Sequence, residues 1–423
     1  MHVKPWQACA ASIVTLVALA SSASADEAEH DYANQTPYGT PNAKIKTAPD
    51  GYEMFFLETV ARHGARSLTS DDAEQDALEI WKRASEQGGL TERGEKFATD
   101  LAEFQEAERT IGYGRLSGVG QEEWQGIGKR HGEMYADFFD ALDNRDEKIA
   151  SVTSNVTRTK QSAEAMHEGL AAAGLDLKTE LAPLTQADEM LHFSNKASDA
   201  GEAMTEEILE RDELREYAED VLRTIYVPEF IPSIEDPLEA ALDIYKLYST
   251  APGMAKETNI TFARYVPEDA REPLSYATDV ETFYQYGPGV EGETNTTDNA
   301  RPLLDDFFKT LGARIAGSTT AIVYRFAHGE TTMPFAALIK APGSEEQTPE
   351  GKRFTRSDNP WRGAVAGRLA GNIEWSAYRN DDGKVLVTMR YNEKPVQFND
   401  GCTPDDEDAK NFYTVEELKS CLG

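Results

Sequence analysis

Three short apolar runs constrain this chain most, because each opens directly into arginine, histidine or helix-capping residues. MFFLETV at 54–60 leads into Ala61-Arg62-His63-Gly64-Ala65-Arg66. A run at 149–153 leads into Ser154-Asn155-Val156-Thr157-Arg158, and one at 321–327 leads into His328-Gly329-Glu330. Runs this short and dense read as buried strands. Helical patterns fill the spaces between them, so the chain reads as α/β, a central mixed sheet flanked by helices. In such sheets ligands sit beyond the carboxyl ends of the strands. The chemistry should therefore come from residues that follow a strand and precede a helix.

Residues 72–145 read as mostly helical, with breaks at Gly88-Gly89 and around 112–120. A helix should follow the second run through Ala173. Residues 189–299 change character: they are acidic, helical at 202–223 and 237–248, and cut by Pro228, Pro232, Pro252 and Pro267. They predict an inserted, mainly helical domain, dividing an α/β domain into 26–188 and 300–423. A helix at 303–311, strands near 372–378 and 385–391, and a loop at 342–360 complete the pattern. Proline is tolerated in a helix's first turn, so Pro334 predicts a helix start near Thr332.

The N-terminus reads as a signal peptide over 1–25. MHVK gives a basic start, residues 8–20 are too short an apolar run to span a bilayer, and Ala23-Ser24-Ala25 fits a cleavage site. The expected product is secreted or periplasmic, begins near Asp26, and is free of the membrane once the signal is removed. Cys9 leaves with the signal. Cys402 and Cys421 then most simply form one disulfide closing a terminal loop, with metal ligation the weaker alternative. The chain carries 75 acidic against 42 basic residues, a net charge of −33. Such a surface repels nucleic acid and anionic membranes, and a monomer is expected.

Each strand-end motif suits a phosphate ester. The His63 imidazole is a competent nucleophile toward phosphorus. Arg62 and Arg66 supply planar forks that match phosphoryl oxygens, and their charge favours the neutral imidazole. Arg158 falls near a helix N-terminus, where an anion is already favoured. His328 can donate to a phosphoryl oxygen, and Glu330 can protonate a leaving alkoxide if the site raises its carboxyl pKa. His131-Gly132-Glu133 repeats the letters of the third motif but sits mid-helix with no strand before it. His131, His167, His192 and His30 are expected to be structural. No HExxH, CxxC or Asp-rich loop accompanies the motifs, so no metal or other cofactor is expected.

Arg62-His63-Gly64-Ala65-Arg66 resembles the RHGxR signature of the histidine phosphatases, acid phosphatase branch. Phe326-Ala327-His328-Gly329-Glu330 is similar to the His-Ala-Glu motif of multiple inositol polyphosphate phosphatases. Similar stretches occur at 114–120, 157–158, 169–170, 303–306 and 392–395, so the resemblance spans about 52–402. It implies that the inserted lobe is a smaller α-helical domain over the cleft, and it implies two-step phosphomonoester hydrolysis without metal. His63 would become a phosphohistidine; Arg62, Arg66, Arg158 and His328 would hold the phosphoryl group. Glu330 would protonate the leaving oxygen and then help activate water. The implied substrate is phytate or another polyanionic inositol phosphate.

Two positions depart from the family pattern. Leu68 stands where proline is frequent, which changes the stiffness of the loop, and Gly329 replaces the usual alanine, which could loosen Glu330. Three other readings stay open: a broad acid phosphatase on sugar phosphates, a non-catalytic phosphoester binder, and a zinc or calcium hydrolase using His328 and Glu330.

Overall fold

The structure is a computed structural model that describes residues 31–41, 48–143, 145, 147–175, 184–406 and 410–423. The signal-peptide stretch and His30 lie outside the described residues. Among the described residues, eight strands form one mixed sheet: β1 Tyr52–Arg62, β2 Lys148–Thr153, β3 Thr185–Gln186, β4 Thr320–Ala327, β5 Asn372–Asn380, β6 Val385–Tyr391, β7 Lys394–Val396 and β8 Tyr413–Thr414. Seven run in the order β3-β2-β4-β1-β5-β6-β7, and β8 pairs with β6. β3, β2, β4 and β1 are mutually parallel. β5 returns antiparallel to β1, and β6 antiparallel to β5.

The main helices are α1 Asp72–Glu86, α2 Gly94–Ile111, α3 Gly118–Met134, α4 Ala136–Asp143, α5 Thr157–Ala172, α6 Asp199–Leu209, α7 Asp212–Ile225, α8 Pro237–Thr250, α9 Glu268–Tyr286, α10 Arg301–Ile315, α11 Gly329–Leu338 and α12 Val415–Leu422. The last eight residues of β1 are all buried, because helices cover both faces. On one face Leu57, Ala61, Ile322 and Phe326 pack against Trp124 and Ile127 of α3 and Met166 and Leu170 of α5. On the other, Val60 and Val323 pack with Leu303 and Phe307 of α10 and Phe335 of α11. Each of the larger aliphatic and phenylalanine side chains here contributes roughly 1.5–3 kcal/mol on burial, which fixes β1 and β4 firmly between the two helical layers.

The helical layer has its own core, built from Phe97 and Phe104 of α2, Val221 and Leu222 of α7, and Ile244 and Leu247 of α8. α1 and α2 precede residue 189 in the chain yet share this core with helices that follow it. The helix expected at 202–223 is two helices. Arg211 is extended between them, and Asp212 and Glu213 open the second, where acids favour a helix start. α11 begins at Gly329, three residues earlier than Pro334 predicts, so the proline lies inside the helix. Cys402 and Cys421 are joined in a disulfide, tying α12 to the turn after β7. Among the described residues no helix is long and apolar enough to cross a membrane.

Candidate active site

β2, β4 and β1 are neighbours with parallel direction, so their carboxyl ends lie side by side. Arg62 pairs in register with Ala327, and Thr153 with Phe326. The next residues, His63, Ser154 and His328, therefore emerge together. The His63 N–H donates to the Ala327 carbonyl at 3.0 Å, and the Ser154 N–H to the Phe326 carbonyl at 3.2 Å. Arg158, in the first turn of α5, reaches the same point, with Nη2 3.0 Å from His328 Nδ1. α5 and α11 both start here, so two helix N-termini add to the positive field. All six residues expected to form the site are brought together.

Hydrogen bonds fix the tautomers. His63 Nδ1 lies 2.9 Å from the Gly64 carbonyl. A carbonyl only accepts, so Nδ1 carries the proton and Nε2 keeps its lone pair. The ring is buried. Burial, and then Arg158, Arg62, His328 and Arg66, hold its pKa well below the usual histidine range. His328 is fully buried, and its Nε2 lies 2.7 Å from Ser154 Oγ. The Arg158 guanidinium only donates, so His328 Nδ1 accepts and Nε2–H donates to Ser154. His328 thus has both nitrogens engaged and aims the Arg158 fork. Facing an anion with an N–H would require Nδ1 to release Arg158 and take a proton. Burial and the neighbouring cations push its pKa down to about 2.

The three arginines share one unusual property. Arg62 gives Nη1 to the carbonyls of Asn34 and Gly367, and Arg66 gives Nη1 to the Ser67 carbonyl at 2.7 Å. Nε of Arg62, Arg66 and Arg158 is in each case buried without a hydrogen-bond partner among the described residues. Burial lowers the pKa of all three, Arg62 to about 10 and Arg66 to about 9; Arg158 adds to the lowering at both, against a raising pull from Glu330 that is the second cause at Arg62. Buried donors without acceptors are costly, and three clustered cations add mutual repulsion. An anion between them would relieve both.

Two buried acids hold the loop from below. Glu123 of α3 accepts from the Ala65 N–H at 2.7 Å and the Tyr38 N–H at 2.6 Å, and burial raises its pKa to about 7. Glu108 of α2 accepts from the Leu68 N–H at 3.0 and 3.1 Å through its two oxygens, and burial raises it to about 8. Sequence reasoning passed over both. The available signal was an acid on an apolar stripe: Glu108 continues the spacing of Phe97, Leu101 and Phe104. Gly64 and Gly120 let α3 approach, since a Cβ on Gly120 would lie 2.1 Å from the Ala65 carbonyl oxygen.

These contacts account for both departures. Proline at 68 would have no N–H for Glu108, so here the carboxyl stiffens the loop in place of a proline ring. Leu68→Pro should lower stability by about 1–3 kcal/mol, the cost of an orphaned buried acceptor, read as a lower denaturant midpoint. An unchanged midpoint would mean that Glu108 does not hold the loop. At 329, a Cβ would lie 3.3 Å from Arg62 Nε and 3.2 Å from Met333 Cε, so glycine leaves room for the guanidinium.

One histidine is corrected. His192 belongs to the site, with its ring centroid 4.4 Å from that of His328 and its Nε2 3.5 Å from Glu330 Oε1. The chain after β3 folds back across the strand ends, where the Ala187 N–H donates to the Thr153 carbonyl at 3.0 Å. No local pattern announces that path. His131, buried 3.2 Å from Glu374, and His167, 2.8 Å from Ser151 Oγ, have the structural roles expected. Among the described residues no three His, Cys, Asp or Glu side chains converge as metal ligands. Beside Arg66 and Leu68 opens a cleft of about 270 Å³, walled by Lys246 and Ser249 of α8 and Thr278 and Glu281 of α9.

The model of the histidine phosphatase superfamily, branch 2, matches residues 53–392. The chain belongs to this superfamily. It is a phosphatase, and the arginines, His63 and His328 lie within the matched span. The multiple inositol polyphosphate phosphatase of Bifidobacterium longum superposes with a TM-score of 0.89 at 27% identity, covering 93% of this chain and 97% of that one. That enzyme has also been solved in complex with inositol hexasulfate and with phosphate. The D. castellii phytase shares the fold, with a TM-score of 0.61 at 13% identity over 93% of this chain and 84% of that one. Among curated proteins none matches.

Proposed function

We propose that this histidine phosphatase hydrolyses inositol polyphosphates, phytate among them, through a phosphohistidine at His63. The observation that carries the reading is the trio of partnerless buried guanidinium Nε groups around an imidazole whose Nε2 lone pair is free. His63 Nε2 attacks phosphorus, and the bond to the leaving oxygen breaks as Glu330 gives that oxygen its proton. Arg62, Arg66 and Arg158 take the non-bridging oxygens, and His328 shares in holding the group through Arg158, whose fork it orients. Glu330, now a carboxylate, takes a proton from water. The hydroxide attacks phosphorus, the N–P bond breaks, and phosphate leaves. The rest of the inositol ring would lie in the cleft beside Arg66, under the lobe at 189–299. Likeness to the B. longum enzyme supports the substrate class. With the leader at 1–25, the enzyme is secreted or periplasmic and acts as a monomer without metal.

The test is phosphate release from inositol hexakisphosphate and from a simple aryl phosphate, in chelator. Release from both, with the inositol ester favoured, is expected. Release mainly from aryl or sugar esters would make it a broad acid phosphatase, and binding without release would make it a binder. Loss of release in chelator would make it a metal hydrolase.

Neutral His63 is the working form, and its depressed pKa keeps it neutral well below the usual histidine range. The acid limb of kcat/KM should therefore fall below that range. Asp243, in the cleft wall, is pushed up to about 7 by burial and by Glu239 and Asp76. Its charge, which repels a polyanion, fades as pH falls, so both effects favour the acid side. Arg66→Gln removes one of the cations that depress His63 and should move the acid limb upward. A limb that stays in place would mean that another group sets it.

A further inference from the structure

Glu330 is gripped at both ends by one stretch of chain that the reaction above does not use. Pro334, inside α11, has no N–H to give the Glu330 carbonyl four residues back. That carbonyl instead accepts from Asn195 Nδ2 at 3.2 Å. Asn195 is buried. Its Oδ1 accepts from Asn299 Nδ2 at 2.7 Å, and its carbonyl from Gln285 Nε2 of α9 at 3.4 Å. Between the two ends, Thr331 Oγ1 donates to the Leu191 carbonyl at 2.8 Å. At the carboxyl end stands His192 Nε2, 3.5 Å from Oε1, its ring lying against that of His328. His192 is 42% exposed in its side chain, so packing of the core does not explain it.

We infer that residues 191–195 form a strap that fixes the proton donor, and that His192 is the positioning residue for the Glu330 carboxyl. The strap supplies the rigidity that Gly329 and Pro334 take from the start of α11. Asn195 sets the backbone, and His192 sets which way the carboxyl points. The inference rests on the reading of Glu330 as the acid.

Leaving groups separate this role from a structural one. An inositol alkoxide needs a proton as it departs, whereas a nitrophenolate does not. kcat/KM reports only the steps through departure of the leaving group. His192→Ala should lower kcat/KM for an inositol phosphate about 10- to 100-fold, as a misplaced catalytic group does, and leave kcat/KM for nitrophenyl phosphate within about threefold. His192→Gln, which keeps a side-chain N–H, should restore most of the loss. In Glu330→Gln the added His192→Ala should cost nothing further, because the two act as one unit.

Equal losses on both esters, or a loss confined to KM, would overturn the inference and make His192 a substrate contact or a structural residue. No loss on either ester would also overturn it. If Glu330→Gln itself shows no preference for the alkyl ester, the failure lies with the acid assignment. If Glu330→Gln shows it and His192→Ala does not, only the strap is wrong.

Discussion

His63→Ala should cut phosphate release from every ester by on the order of 10⁴-fold or more, whatever the leaving group. Both steps of the proposed reaction pass through the N–P bond at this ring, so no good leaving group can rescue the variant. The fold should survive, because the loop keeps its bonds from Ala65 to Glu123 and from Leu68 to Glu108. Loss of the imidazole removes one hydrogen bond, to the Gly64 carbonyl, and its buried packing. Three guanidinium forks remain, so inositol hexakisphosphate should still bind. Calorimetry on the variant would then show affinity within about tenfold of the parent, as expected when a residue acts in the transition state rather than in ground-state binding. Acid-labile phosphate should be trapped on the parent enzyme by a fast denaturing quench and be absent from the variant. Release within tenfold of the parent would rule out His63 as nucleophile.

What could be read from the sequence divides along the range of the interactions involved. Strands β1, β2 and β4 were visible as short apolar runs, dense in β1 and β4, where both faces are buried, and weaker in β2, which is partly exposed. Their carboxyl ends coincide because parallel strands put them there, and this brought Arg62, His63, Arg158, His328 and Glu330 together from a rule about sheets alone. Gly329 at the start of α11 was hidden because Pro334 suggested a later start. The carbonyl that the proline leaves without its helical donor is met by Asn195, more than a hundred residues away. His192 was hidden for the same reason, since the return of the chain after β3 across the strand ends leaves no periodic trace. Glu108 and Glu123 were passed over because an acid in a helix is usually a solvated charge. Their task, accepting from the N–H groups of a loop, exists only once α2 and α3 have packed beneath it.

Glu330→Gln should separate the two halves of the reaction. Its kcat/KM for an inositol phosphate should fall by about 10²–10⁴, the usual worth of a positioned proton donor, while kcat/KM for nitrophenyl phosphate changes little. The second half depends on the same carboxyl, because glutamine cannot take the proton from water that attacks the phosphohistidine. With the aryl ester, the first turnover should therefore proceed normally and the next should stall. Rapid mixing should show a burst of nitrophenolate close to one equivalent per enzyme, followed by a slow phase limited by hydrolysis of the N–P bond. The variant offers a close test because glutamine matches glutamate in size and keeps the backbone contact from Asn195. His192 can still approach the amide oxygen, so the side chain should remain in place. A uniform loss on both esters without a burst would mean that Glu330 shapes the site rather than moving the proton. An unchanged inositol phosphate rate would move the acid role to another group; among the described histidines, His192 Nε2 lies 3.5 Å from Glu330 Oε1 and His328 Nδ1 3.9 Å.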